Sequence, residues 1–210
     1  MKTNVWTLPT RIFHWYLAAG CVLAYLLSDY TQTHAAIGLS IGTLLLFRLI
    51  WGIIGPRYSR FKDFPISPKR VIHFLRNIKT EEHLFTGHNP AAATVMLLII
   101  LIGICVATTG LITVLSLDTE FFGPARFVDF DGNLELHETF ITILIILVGF
   151  HILGLAANFY SNREAKTVIS MFTGIKRLPG INANLTLGQR AFAVLAGIAI
   201  VSVLVYVLTL

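Results

Sequence analysis

HETFITILIILVGFH, residues 137–151, sets a histidine at each end of a mostly apolar run. Fourteen steps at about 100° each fall only about 40° short of four full turns. As a helix, this stretch therefore presents His137 and His151 on nearly one face. At about 1.5 Å per residue the two rings stand roughly 21 Å apart along the axis. Two more histidines, His14 and His34, flank the first hydrophobic segment. An imidazole inside a bilayer is costly and ordinarily functional, and imidazole is a strong axial ligand of haem iron. Four such residues suffice for two haems, one above the other.

Composition places the chain in a membrane. Of 210 residues, 55% are hydrophobic and only 13% are charged, too few for an ordinary soluble domain. Five stretches are long enough to span about 30 Å of hydrocarbon: residues 12–27, 35–54, 91–117, 139–159 and 191–210. Arg11, His14 and Trp15 break the start of the first, which argues against a signal peptide. Cys21 and Cys105 fall mid-membrane, where small apolar packing is expected rather than a disulfide. No CxxCH is present, so covalent c-type haem attachment is excluded.

The net charge of +5 is a matter of topology rather than of nucleic-acid binding. Lys2 and Arg11 precede the first segment. Arg48 sits near the same end of segment two, Arg57, Arg60, Lys62, Lys69, Arg70, Arg76 and Lys79 gather between segments two and three, and Arg163, Lys166, Lys176, Arg177 and Arg190 between four and five. On the other side stand Arg126 and the acids Asp29, Asp118, Glu120, Asp129, Asp131 and Glu135. The positive-inside rule then puts the N-terminus in the cytoplasm and, with five spans, the C-terminus outside. PKRVIHFLRNIK, residues 68–79, alternates apolar and basic positions at near-helical spacing and reads as an interfacial amphipathic helix.

Depth then pairs the histidines. His34 and His137 both begin segments that descend from the outer side, whereas His14 and His151 lie deeper toward the inner side. The expected ligand pairs are His34 with His137 and His14 with His151. A haem between helices needs room, and Gly38 and Gly42 follow His34 on its own face. Ala18 and Cys21 flank His14, and Gly154 follows His151. Gly38-x-x-x-Gly42 also reads as a close helix contact. Anionic propionates need cations: Arg48, Arg57 and Arg60 are candidates on the inner side and Arg126 on the outer. His88 and Asn89 stand either near the inner propionates or at a cap of the third segment.

These residues together resemble a known family, the bacterial membrane-bound b-type cytochromes that include cytochrome b561 and the b-type subunit of nickel–iron hydrogenases. VWTLPTRIFHW, residues 5–15, is similar to the family's opening, with His14 at a ligand position. His34, then Arg48 and IWGIIGPRYSRF, resemble its second helix and exit loop. GHNP, residues 87–90, resembles the approach to its third helix. His137 and His151 match the ligand pair of its fourth, and KTVISMFTGIKR, residues 166–177, its following tail. The resemblance spans about residues 4–178.

The resemblance implies a four-helix bundle with two b haems and electron transfer between the quinone pool and a redox partner. The expected architecture is an all-α membrane protein. Residues 1–178 form the di-haem transmembrane bundle, and residues 179–210 add a linker and a fifth, C-terminal transmembrane helix. The expected setting is the bacterial inner membrane and its respiratory chain. A periplasmic cytochrome c is the expected partner; hydrogenase subunits, in a membrane-anchor role, are the alternative. A haem-free transporter or proton channel is the rival of another class. Enzymatic use, such as oxidising superoxide to reduce quinone, stays open, as does a homodimer.

Overall fold

The computed structural model describes residues 2–77, 85–117, 130–161 and 167–209. Arg126, Asp118, Glu120 and Asp129 of the expected outer loop lie outside them, as do Lys79, Arg163 and Lys166. The first helix, α1 (Leu8–Leu26), opens with Pro9 in its first turn, where a missing N–H removes no helical hydrogen bond. It turns back into α2 (Thr31–Ile54). A short amphipathic helix, α3 (Pro68–Arg76), falls within the expected 68–79. It buries Phe74 and leaves Ile72 and Leu75 exposed beside its basic residues. Then come α4 (Pro90–Leu117), α5 (Phe130–Ser161), α6 (Thr167–Thr173) and α7 (Leu187–Leu208).

Among the described residues four helices are long and apolar enough to cross a membrane: Thr31–Ile54, Pro90–Leu115, Asp131–Tyr160 and Leu187–Leu208. The sequence reading expected five. By that measure α1 falls short, because Pro9, Arg11 and His14 dilute the apolar character of its first turns. Its second half is apolar, with Val22, Leu23 and Leu26 facing outward.

The central helix is α2. Its Ile41, Leu44, Leu45, Phe47 and Trp51 form one buried cluster with Phe13 of α1, Ile100 of α4 and Ile200 of α7. Gly20 of α1 lets Ile41 approach to where a Cβ would lie 3.1 Å from its Cδ1. Gly103 of α4 likewise receives Leu45, at 3.2 Å. α7 packs along the flank of α2 and runs antiparallel to it. Gln189 Nε2 donates to Ile54 O at 2.7 Å near one end, and Gln32 Nε2 donates to Val207 O at 3.2 Å near the other. Phe192 stacks on Phe47 and Trp51 at 5.6 and 6.3 Å. A capping box between Thr186 and Gln189 starts α7.

The fourth helix of the bundle is different. α5 packs extensively on α4 but makes no comparably extensive contact with α1 or α2. None of its described side chains is buried. A space therefore separates α5 from the first two helices.

One end of the bundle is closed by a basic platform. β1 (Thr3–Asn4) pairs antiparallel with β2 (Ile175–Lys176), Thr3 opposite Lys176. Trp6 Nε1 donates to Ser170 Oγ at 2.9 Å, and Trp15 Nε1 to Met171 O at 3.2 Å. The N-terminus is thus stitched to the segment that follows α5.

Candidate haem sites

The space beside α5 is bounded by four imidazoles. His137 of α5 faces His34 of α2 with ring centres 6.2 Å apart, and His151 faces His14 of α1 at 6.3 Å. The structure thus brings together the two pairs that depth matching gives. Neither pair is in hydrogen-bonding contact. A metal–imidazole bond of about 2.0–2.1 Å, with roughly 1.1 Å more from Nε2 to the ring centre on each side, makes two axial histidines stand about 6.3 Å apart. Both observed separations match that spacing.

At the first pair the hydrogen bonds also suit metal ligation. His34 Nδ1 lies 2.8 Å from Ala24 O, and His137 Nδ1 lies 3.0 Å from Val106 O. A carbonyl accepts only from a protonated nitrogen, so each ring carries its proton on Nδ1 and keeps a lone pair on Nε2. This is the usual support of a metal-ligating histidine. Thr109 Oγ1 stands 3.0 Å from the same His137 nitrogen and donates back to Cys105 O at 2.9 Å. Asn133, one turn before His137, donates to Thr109 O and Thr113 Oγ1 at 2.9 and 2.6 Å, which fixes α5 against α4. Gly110 completes the seat: a Cβ there would meet His137 Cε1 at 3.0 Å.

Thr109 and Gly110 are absent from the sequence reading. Their signal is the small, polar cluster ATTG, residues 107–110, in an otherwise apolar helix.

The glycines divide. Nothing lies within 4 Å of a Cβ built on Gly38, Gly149 or Gly154, so space stays open beside them. Gly42 instead faces α4, where a Cβ would lie 3.3 Å from Ala107. It has the close helix contact that its spacing with Gly38 also suggests. Cys21 and Cys105 are free thiols.

The second pair sits against the basic platform. His14 Nδ1 is buried with no hydrogen-bond partner, and the His151 ring has no hydrogen bond among the described residues. Close by is Arg48, only 3% exposed. Its guanidinium lies over Phe61 at 4.9 Å, Phe13 at 5.8 Å and Phe64 at 5.9 Å, and its Nη1 is buried without an acceptor. The other inner candidates are engaged: Arg60 pairs with Asp63 at 3.0 Å, and Arg57 lies over the Tyr58 ring at 5.6 Å. His88 is wedged between Trp6 and Phe64, at 4.7 and 5.0 Å. Burial, reinforced by Lys176, Arg48 and His151, pushes His88 down to about 3, so it stays neutral. Asn89 takes the capping role, its Oδ1 accepting from Ala92 N at 2.7 Å.

Two imidazole pairs at axial-ligand spacing, an adjacent space and a buried cation without an anion all fit a haem-binding membrane bundle. No curated protein and no solved structure matched the chain. A family model did, over residues 5–174, a stretch that holds all four histidines and stops short of α7. By that match the chain belongs to the prokaryotic cytochrome b561 family, whose members bind b-type haem and carry electrons across membranes.

Proposed function

We propose that this chain carries electrons across the bacterial cytoplasmic membrane through two b haems. In this reading His34 and His137 ligate the outer haem, and His14 and His151 the inner. The basic platform faces the cytoplasm, and α1 crosses the membrane as a fifth span. The observation that carries the reading is the pair of ring separations, 6.2 and 6.3 Å, in a chain with four helices apolar and long enough to cross a membrane among the described residues. The orientation follows from the Lys and Arg residues gathered at the His14 end.

A b haem ligated on both faces supplies one-electron chemistry at an iron with no open position for oxygen. The residues do the rest. The carbonyls of Ala24 and Val106 hold the outer imidazoles in the ligating tautomer. Arg48 offers an inner propionate a buried cation.

The electrons link the quinone pool to a periplasmic redox partner such as a c-type cytochrome. The test is to add a quinol to the purified, oxidised protein and follow its visible spectrum. Growth of a reduced b-type band is expected. A band that strong chemical reductants produce and quinols do not would remove the quinone from the account.

A further inference from the structure

The short helix α3 lies between the end of α2 and the start of α4, at the platform end of the bundle, and it packs against α4. Its buried Phe74 meets Phe85 edge-on at 5.8 Å, which anchors the helix beside the entry to α4. At about 100° per residue, Lys69, Arg70, His73 and Arg76 fall within one arc of about 120°. All four are exposed. Beyond that arc, on the side away from Phe74, Ile72 and Leu75 are exposed as well. The helix thus has one apolar side against the protein, one left uncovered, and a basic face between them.

The basic face opens on a cleft of about 520 Å³, lined by Lys69, Arg70 and His73 together with Pro65, Phe85 and Pro90. That volume suits a small bound molecule, and no acid lines it. Helix formation does not ask for these cations. Lys69 and Arg70 stand in the first turn of α3, at the positive end of the helix dipole, with no acid in that turn and no side-chain cap from Ser67. Among the described residues neither has an ion-pair partner. Residues 57–82 carry seven lysines and arginines against three acids. Of these acids Asp63 is tied to Arg60, and Glu81 and Glu82 lie outside the described residues. An anion in the cleft would meet the ammonium, the guanidinium fork and the helix end together.

We propose that this cleft binds the headgroup of an anionic phospholipid, with the phosphate on Lys69 and Arg70 and the glycerol and first acyl carbons against Pro65, Phe85 and Pro90. Free phosphate has the same charge but nothing to set against those three apolar walls, two of which are prolines without an N–H to donate. A lipid meets both halves of the cleft, and the uncovered Ile72 and Leu75 suit hydrocarbon beside it. A zwitterionic lipid carries its own cation and gains little from Lys69 and Arg70. Basic pockets beside transmembrane helices are suited to anionic headgroups on this ground. The bound lipid would brace α3 against the entry to α4. The site involves none of the four paired histidines, so it stands or falls apart from the haem reading.

The experiment titrates the purified, delipidated full-length chain, in neutral detergent, into fluorescently labelled phosphatidylglycerol and follows its anisotropy. Wild type should bind saturably, and at least tenfold more tightly than it binds labelled phosphatidylcholine. Lys69→Gln with Arg70→Gln should weaken phosphatidylglycerol binding by about fivefold per cation removed, roughly 30-fold in all. Arg190→Gln, which removes an exposed cation at the same end of the molecule, should leave it unchanged. Millimolar inorganic phosphate should not displace the lipid. Should the double variant fail to fold, Arg70→Lys should retain most of the binding, and added salt should weaken it in wild type. Equal binding of the two lipids would mean that these cations serve topology alone, and would overturn the proposal. So would binding indifferent to positions 69 and 70, or a loss as large in Arg190→Gln. Ready displacement by inorganic phosphate would assign the cleft to free phosphate and overturn the lipid as its occupant.

Discussion

Gly110 stands where any side chain would press on His137, since a Cβ there lies 3.0 Å from His137 Cε1. The ring cannot retreat freely, because its Nδ1 is tied to Val106 O. Gly110→Val should therefore turn His137 out of ligating position. Changes of this kind in the shell behind a ligand ordinarily cost about 10–100-fold in metal affinity. Haem titration of the purified apoprotein should show weakened binding at the outer site and unchanged binding at the inner one. Equal affinity at both would mean that Gly110 serves only packing. The four histidines were legible because residue spacing fixes angle and depth on a helix. Gly110 and Thr109 were not, because their role depends on how α4 sits against α5, and no single-helix periodicity encodes that. Arg48 was legible as a charge at the right depth, whereas its isolation among Phe13, Phe61 and Phe64 required the fold.

The helices themselves were mostly evident from runs of apolar residues, and α3 from its alternation of basic and apolar positions. The exception is α1, where the expectation of a span met a helix too polar at its start for the criterion the other four satisfy. The same residues that dilute it, Arg11 and His14, tie it to the platform and to the inner site. The place of α7 could not be read from its sequence, which is apolar on every side. Its partner is chosen by Phe192 stacking on Phe47 and Trp51, and by Gln189 and Gln32 donating to carbonyls of its neighbour and itself respectively. Phe192→Ala should weaken that contact by about 1–2 kcal/mol, since aromatic pairs contribute about 0.5–1.5 kcal/mol each beyond area. Thr186→Ala should remove the cap, at about 1 kcal/mol. A thermal melt of the haem-loaded protein should fall in both variants while the b-type spectrum stays as in wild type. A lost or shifted band in Phe192→Ala would show that α7 shapes a haem site.

Across the described residues the arrangement is a bundle in which α2 packs with α1, α4 and α7, while α5 packs on α4 and stands at a distance from α1 and α2. That distance is set for something between them: no described side chain of α5 is buried, yet two of its histidines meet partners at 6.2 and 6.3 Å. The central claim is that these are two separate bis-histidine haem sites, paired across the space by depth. The most direct measurement is the haem content per chain of double variants, taken by organic extraction of the purified proteins. Wild type should carry two haems. The double variant His14→Ala with His151→Ala should keep one, as should His34→Ala with His137→Ala, because each leaves one site whole. His14→Ala with His137→Ala should keep none. One haem retained in that last variant, or none in either of the first two, would contradict the pairing on which the account stands.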